Sequence, residues 1–227
     1  MKYKIIVLSE RTVEGVMKIM KNKAKRVLSL LLAVVMLVPF ALPAFAESDE
    51  IVARVSIVSY LKNVFSTGHS WLYIENLSDK TLTVGIYQLE PGDSVSVGTF
   101  KNSRKEGRGI YYNVERYCVN KFGASARYSL SETVTESELN GISRKINSYS
   151  GKWTPVKNCA YFAAYVWNSI SKIHLISGST PSCLRTSIRL HGGKRGIAMS
   201  DVSADNVYKQ DGSSLRVVRA SALNKGL

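Results

Sequence analysis

Residues 157–170, KNCAYFAAYVWNSI, restrict the fold more than any other stretch of the chain. Phe162, Ala163, Val166, Trp167 and Ile170 follow Cys159 at i+3, i+4, i+7, i+8 and i+11. That period is one apolar face of a helix and predicts a helix from 158 to about 171, packed on a core. Asn158 is a good N-cap residue and puts Cys159 in the first turn. There the helix dipole and the unsatisfied N–H groups favour the thiolate, which is the nucleophilic form. A structural cysteine packed beneath the helix is the competing reading.

What that helix packs on is written earlier in the chain. IVARVSIVSYL (51–61) is rich in β-branched residues, and HSWLYIEN (69–76) is almost wholly apolar, which predicts a strand buried on both faces. LSDK then separates HSWLYIEN from TLTVGIYQL as the turn of a hairpin. Pro91-Gly92-Asp93 marks the next turn, SVSVGTF alternates, KNSRKEGRG is a charged loop, and IYYNVERY reads as a further strand. After it, Thr135 and Glu138 match a capping box, and Leu139, Ile142, Ile146 and Tyr149 make an apolar stripe. TPSCLRTSIRLHGG reads as a short helix and loop, and DGSS as the turn of a last hairpin. The fold class is α+β, with strands mostly antiparallel, in one domain over 47–227.

Residues 1–46 stand outside that domain. Five cations between Lys18 and Arg26 precede VLSLLLAVVMLVPFALPAFA, which ends in Ala44-Phe45-Ala46. A basic start, an apolar core and a small-x-small ending make a secretory signal peptide, cleaved after Ala46, with 1–16 an upstream extension before Met17 or Met20. Pro39, Pro43 and the Ala-x-Ala ending argue against an uncleaved anchor, so no transmembrane segment is expected in the mature chain. Taking the eight basic and two acidic residues of 1–46 from 31 and 17 leaves 23 against 15, a net charge of +8. A secreted basic protein meets anionic partners such as cell-wall polymers; no basic run interleaved with aromatics points to nucleic acid. The chain is expected to be a monomer.

Candidate chemistry rests on few residues. Cys118, Cys159 and Cys183 are an odd set, so a Cys118–Cys183 disulfide that spares Cys159 and a fully reduced set both fit. No C-x-x-C or H-x-x-x-H spacing exists, so a structural zinc site is not expected, and no metal or cofactor is assigned. A nucleophilic thiol needs a base, and the histidines are His69, His174 and His191. His174 just follows the cysteine helix and His191 lies in a Gly-rich basic loop. His69 opens the buried strand and would be held rigidly, as a general base must be; a satisfied core histidine is the bland alternative.

GHSWLYIEN followed far downstream by NCAYFAAYVWN resembles the permuted branch of the NlpC-type papain-like cysteine peptidases, in which the strand histidine precedes the helix cysteine. The resemblance covers roughly 51–170, and the C-terminal part is unmatched. It implies a papain-like fold with an antiparallel sheet against the Cys159 helix. It also implies a Cys159 nucleophile, a His69 base and a third polar residue orienting the ring. If the hairpin turned near Ser78-Asp79, Gln88 would lie opposite His69 and supply that residue; Asn113 is the alternative. Glu75 lies about 20 Å along the strand at about 3.3 Å per residue and is excluded. The function implied is an exported hydrolase of peptidoglycan peptides or another envelope amide. Lipid or ester acyl transfer on the same scaffold, or a non-catalytic surface-binding module, are the alternatives.

Overall fold

The computed structural model describes residues 50–61, 68–100, 107–123, 127–149, 153–176 and 180–223. The signal-peptide expectation, on residues 1–46, lies outside them. Glu47–Leu227 forms one compact unit.

The most apolar runs form the middle of the sheet, because only a strand flanked on both sides and covered on both faces has nowhere to place polar side chains. These are β1 (Ile51–Tyr60), β2 (His69–Asn76) and β5 (Ser94–Phe100), the last buried at every position. β6 (Gly109–Tyr112), β7 (Arg127–Thr135), β8 (Lys194–Arg195), β9 (Tyr208–Asp211) and β10 (Ser214–Val217) complete an antiparallel sheet. Its order is β10-β9-β6-β5-β2-β1-β7-β8. The last hairpin, β9–β10, is the one expected around DGSS.

The expected hairpin between HSWLYIEN and TLTVGIYQL does not form. β2 instead pairs with β1, from Ala53↔Asn76 to Tyr60↔His69, and with β5. TLTVGIYQL folds on itself as β3 (Leu82–Val84) and β4 (Tyr87–Leu89), a separate two-stranded sheet. The reason is local: Gly85, at φ 63, is the first of two residues between the paired Val84 and Tyr87. A two-residue loop with glycine leading is a preferred hairpin turn.

The second departure is within IYYNVERY. Its strand stops at Tyr112, and α1 (Val114–Phe122) begins after Asn113, which sits in the left-handed region at φ 66. Asparagine tolerates that conformation better than most residues. The turn is anchored on both sides. Asn113 Oδ1 accepts from Ser96 N–H and from the Arg116 guanidinium, and its Nδ2 donates to Asn206 O at 3.0 Å.

The remaining helices follow the apolar periods. α2 (Glu136–Ser148) starts with the expected capping box, Thr135 Oγ1 accepting from Glu138 N–H and Glu138 accepting from Thr135 N–H. α3 (Cys159–Trp167) is shorter than expected because Asn168 caps its end and turns the chain, bonding Leu175 through both its backbone groups. α4 (Pro181–Leu190) begins at Thr180, with proline in its first turn. α2, α3 and α4 bury one sheet face, joining Ile57, Leu72, Ile74, Val95 and Val97 to Phe162, Val166, Trp167, Leu184 and Ile188. α1 lies on the other face, where Val119 meets Val58, Trp71 and Tyr73. No disulfide joins the cysteines: Cys118 and Cys159 are buried and Cys183 is exposed. Among the described residues no helix is long and apolar enough to cross a membrane.

Candidate active site

β2 and its neighbours part company at His69. The β1–β2 ladder continues to Tyr60↔His69, but the β2–β5 ladder ends at Leu72↔Val97, while β5 goes on to pair with β6 as far as Phe100↔Gly109. β5 therefore leaves the first residues of β2, 69–71, with no strand on that side. The start of α3 fills that place, where the Ser70 N–H helps to lower the proton affinity of the Cys159 thiol.

Asn158 sets the start of α3. Its Oδ1 accepts from Ala160 N–H at 3.0 Å and Tyr161 N–H at 3.3 Å, and its Nδ2 donates to Pro155 O. Of the first-turn donors, these two are thereby satisfied, whereas no described residue accepts the Cys159 N–H. The helix start thus offers one N–H beside the sulfur rather than a set of them.

The His69 ring lies beside the Cys159 thiol, and each favours the other's charged form. Its Nε2 lies 2.9 Å from Glu115 Oε1, so the ring bridges a sulfur and a carboxylate. The imidazole stacks on Phe100, with ring centroids 4.4 Å apart, and more distantly on Trp71. His69 is 5% exposed and Glu115 is fully buried, so neither charge is screened by water.

The Glu115 carboxylate reaches the ring because α1 is tied to β5. Ser96 Oγ donates to Glu115 Oε2 at 2.9 Å and accepts the Arg116 N–H, fixing the first turn of α1 over the sheet. Arg116 holds the same turn from the other side through Ser94 O and through Ser200 Oγ at 2.6 Å. Gly98 makes room. A Cβ there would sit 1.8 Å from Glu115 Oε1 and 3.3 Å from His69 Nε2, so only glycine lets carboxylate and imidazole meet over β5.

The electrostatics follow from these contacts. Burial alone would strip His69 of its proton, but the negative Cys159 sulfur and its hydrogen bond, with Glu115 adding to both, hold the proton up to about 9. Burial pushes the Cys159 thiol up. The charge and hydrogen bond of His69, with the N–H groups of Ser70 and Ala160, outweigh it and bring the thiol below its ordinary value. The stable pairing is therefore thiolate with imidazolium, poised beside a buried carboxylate.

Of the residues singled out in the sequence, His69 and Cys159 come together. Gln88 does not join them: it is exposed on β4 and bonds the Thr83 hydroxyl. Asn113 shapes the turn before α1 instead of touching His69. His174 is exposed, and His191 caps α4 with Nδ1 on Ser187 O. The ring's orienting partner is Glu115, which the sequence reading missed. Its signal was Asn113, a residue suited to ending a strand and starting a helix with an acid in the first turn. Among the described residues no cluster of three metal-binding side chains occurs. Compared with known proteins, the chain matches no family model, no curated protein and no solved structure.

Proposed function

We propose that this chain is an exported cysteine hydrolase of the permuted NlpC-type papain-like kind, cleaving an amide in a cell-envelope peptide. The observation that carries the reading is the placement of His69, with one ring nitrogen on Glu115 and the imidazole beside the thiol at the start of α3. A structural cysteine needs no base, and a packing histidine needs no carboxylate oriented by a serine.

The chemistry assigns each group one task. The Cys159 thiolate attacks the amide carbonyl, forming a C–S bond and a tetrahedral oxyanion. The Cys159 N–H, which no described residue accepts, is placed to donate to that oxygen. The His69 imidazolium then gives its proton to the departing amine as the C–N bond breaks, leaving a thioester and a neutral imidazole. Neutral His69 next takes a proton from water as the water attacks the thioester, and the acid leaves with the thiolate restored. Glu115 holds the ring in the orientation that faces the sulfur and stabilises each imidazolium state.

The apolar run and small-x-small ending of residues 1–46, and the net charge of +8 beyond them, support an envelope location and an anionic substrate. The test is release of new amino groups from purified peptidoglycan stem peptides by residues 47–227. Release that is lost in Cys159→Ala and in His69→Ala supports the reading. Release equal in Cys159→Ala contradicts it.

A further inference from the structure

Across β2, β1 and β7 one row of residues leads away from the thiol. Ser70, whose N–H meets Cys159, pairs with Ser59, and Ser59 pairs with Tyr128. Ser70 Oγ bonds Ser59 Oγ at 2.9 Å, and Ser59 Oγ donates to Pro181 O in the first turn of α4. α4 is thereby pinned over this row. Two strand spacings of about 4.8 Å set Tyr128 about 10 Å from Ser70.

Around Tyr128 the charges are all of one sign. Arg185 and Arg189, four residues apart on one face of α4, bring their guanidinium carbons to 4.8 and 5.3 Å from the Tyr128 ring centre. Arg195 pairs with Tyr128 in the β7–β8 ladder, so its side chain leaves the sheet on the same face. None of these arginines takes part in a salt bridge among the described residues. Arg185 Nε is moreover buried with no hydrogen-bond partner. The next acid along that face of β7 is Glu132, four residues on, and it is engaged by Ser171 Oγ at 2.6 Å. Like charges at i, i+4 repel, and an orphaned buried N–H is costly; an oxyanion between the guanidinium groups relieves both.

We propose that Arg185, Arg189 and Arg195, assembled on Tyr128, form a subsite that holds an oxyanion of the substrate, a carboxylate or a phosphate, about two strand spacings from Ser70, on the far side of β2 and β1 from Cys159. This deepens the hydrolase reading by giving its substrate a negative group at a set distance from the scissile amide. Stacking on Tyr128 leaves the edges of the guanidinium planes to donate, which suits bidentate recognition of a planar or tetrahedral anion. The row of serines and the α4 start tie the subsite rigidly to the thiol.

The test uses residues 47–227 carrying Cys159→Ala, so that anion binding is read apart from catalysis. Titration calorimetry at low salt with glutarate and, separately, with inorganic phosphate reads affinity for the two kinds of oxyanion. Saturable binding of one or both at one site is expected, weakened about tenfold or more in Arg189→Gln and further in Arg185→Gln/Arg189→Gln. The preferred probe tells carboxylate from phosphate. Lys80→Gln, which removes an exposed cation elsewhere, should leave binding unchanged. If the double variant does not fold, Arg195→Gln replaces it, with loss again expected. No saturable binding of either probe, binding undiminished in the arginine variants, or an equal loss in Lys80→Gln overturns the subsite. Intact anion binding in a protein whose thiol proves inert would leave the subsite standing and remove the hydrolase reading alone.

Discussion

Two buried cysteines in this molecule sit on helices and are treated in opposite ways. Cys118 lies in the middle of α1, packed with Phe100, Tyr111, Val114, Val207 and Leu223, its sulfur 3.9 Å from Leu223 O. Cys159 opens α3, where the His69 ring stands beside the sulfur and favours its anion. Both are removed from water, at 1% and 9% exposure, so burial does not separate them. What separates them is position along the helix. Mid-helix N–H groups are spent on carbonyls four residues back, whereas the Cys159 N–H has no described acceptor and the positive end of the dipole favours a sulfur anion.

Replacing each cysteine in turn gives the sharpest contrast. Cys159→Ala should abolish hydrolysis and low-pH alkylation while keeping the helix, since alanine is a strong helix former. Cys118→Ala should leave turnover within about twofold and instead cost about 1 kcal/mol of stability, read by denaturant titration, as a core truncation does. Turnover surviving in the first variant, or lost in a folded second one, breaks the comparison.

Glu115 comes next in expected effect. Glu115→Gln keeps the shape but removes the charge, and should lower turnover by about 10²-fold or more. It should also move the upper edge of the pH profile down from its wild-type position. Glu115→Ala leaves His69 facing a buried void and should cost about 3 kcal/mol of stability besides. A Gln variant with the wild-type pH profile would show that the carboxylate only packs. Gly98→Ala tests the same contact sterically. Its Cβ meets the Glu115 carboxylate at 1.8 Å, so the acid must move, with a stability cost of about 1–3 kcal/mol and a loss of turnover like that of Glu115→Gln.

The pH dependence has two edges of opposite sign. The folded His69 value is raised from 6.5 to about 9, so its share of stability is complete below 6.5 and is lost as pH rises through about 9. The folded Cys159 value is lowered, so its share is complete above the ordinary thiol value and is lost as pH falls through the lowered one. Both shifts describe one ion pair and are counted once. Turnover should therefore hold a plateau between the lowered thiol value and about 9. The smallest effect belongs to Thr135→Ala: loss of the α2 cap should cost about 1 kcal/mol with turnover unchanged.

Much of this site is legible in the sequence, and the reasons differ by residue. Cys159 announces itself at the start of a strongly periodic helix with a good N-cap, and His69 at the start of an almost wholly apolar strand. The capping box of α2 was legible for the same reason. Glu115 was hidden because the alternation of IYYNVERY carries smoothly across Asn113, and a single left-handed residue re-aims everything after it. The partner of β2 was hidden because apolar strands accept many neighbours. TLTVGIYQL is taken up by its own short hairpin at Gly85, and β5 pairs with β2 instead. Gln88 was assigned to His69 only through that hairpin, and the assignment failed with it.

The central claim is that Cys159 is a thiolate because His69 is beside it, and alkylation measures this directly. The rate of iodoacetamide modification at Cys159, followed by peptide mass spectrometry from pH 4 to 10, should stay high below the ordinary thiol range, because the thiol is lowered. His69→Ala should shift the whole profile toward that of an ordinary thiol near 8.5, with Cys183 unchanged as the exposed internal reference. A Cys159 profile already at the ordinary thiol value, and unmoved by His69→Ala, would contradict the account.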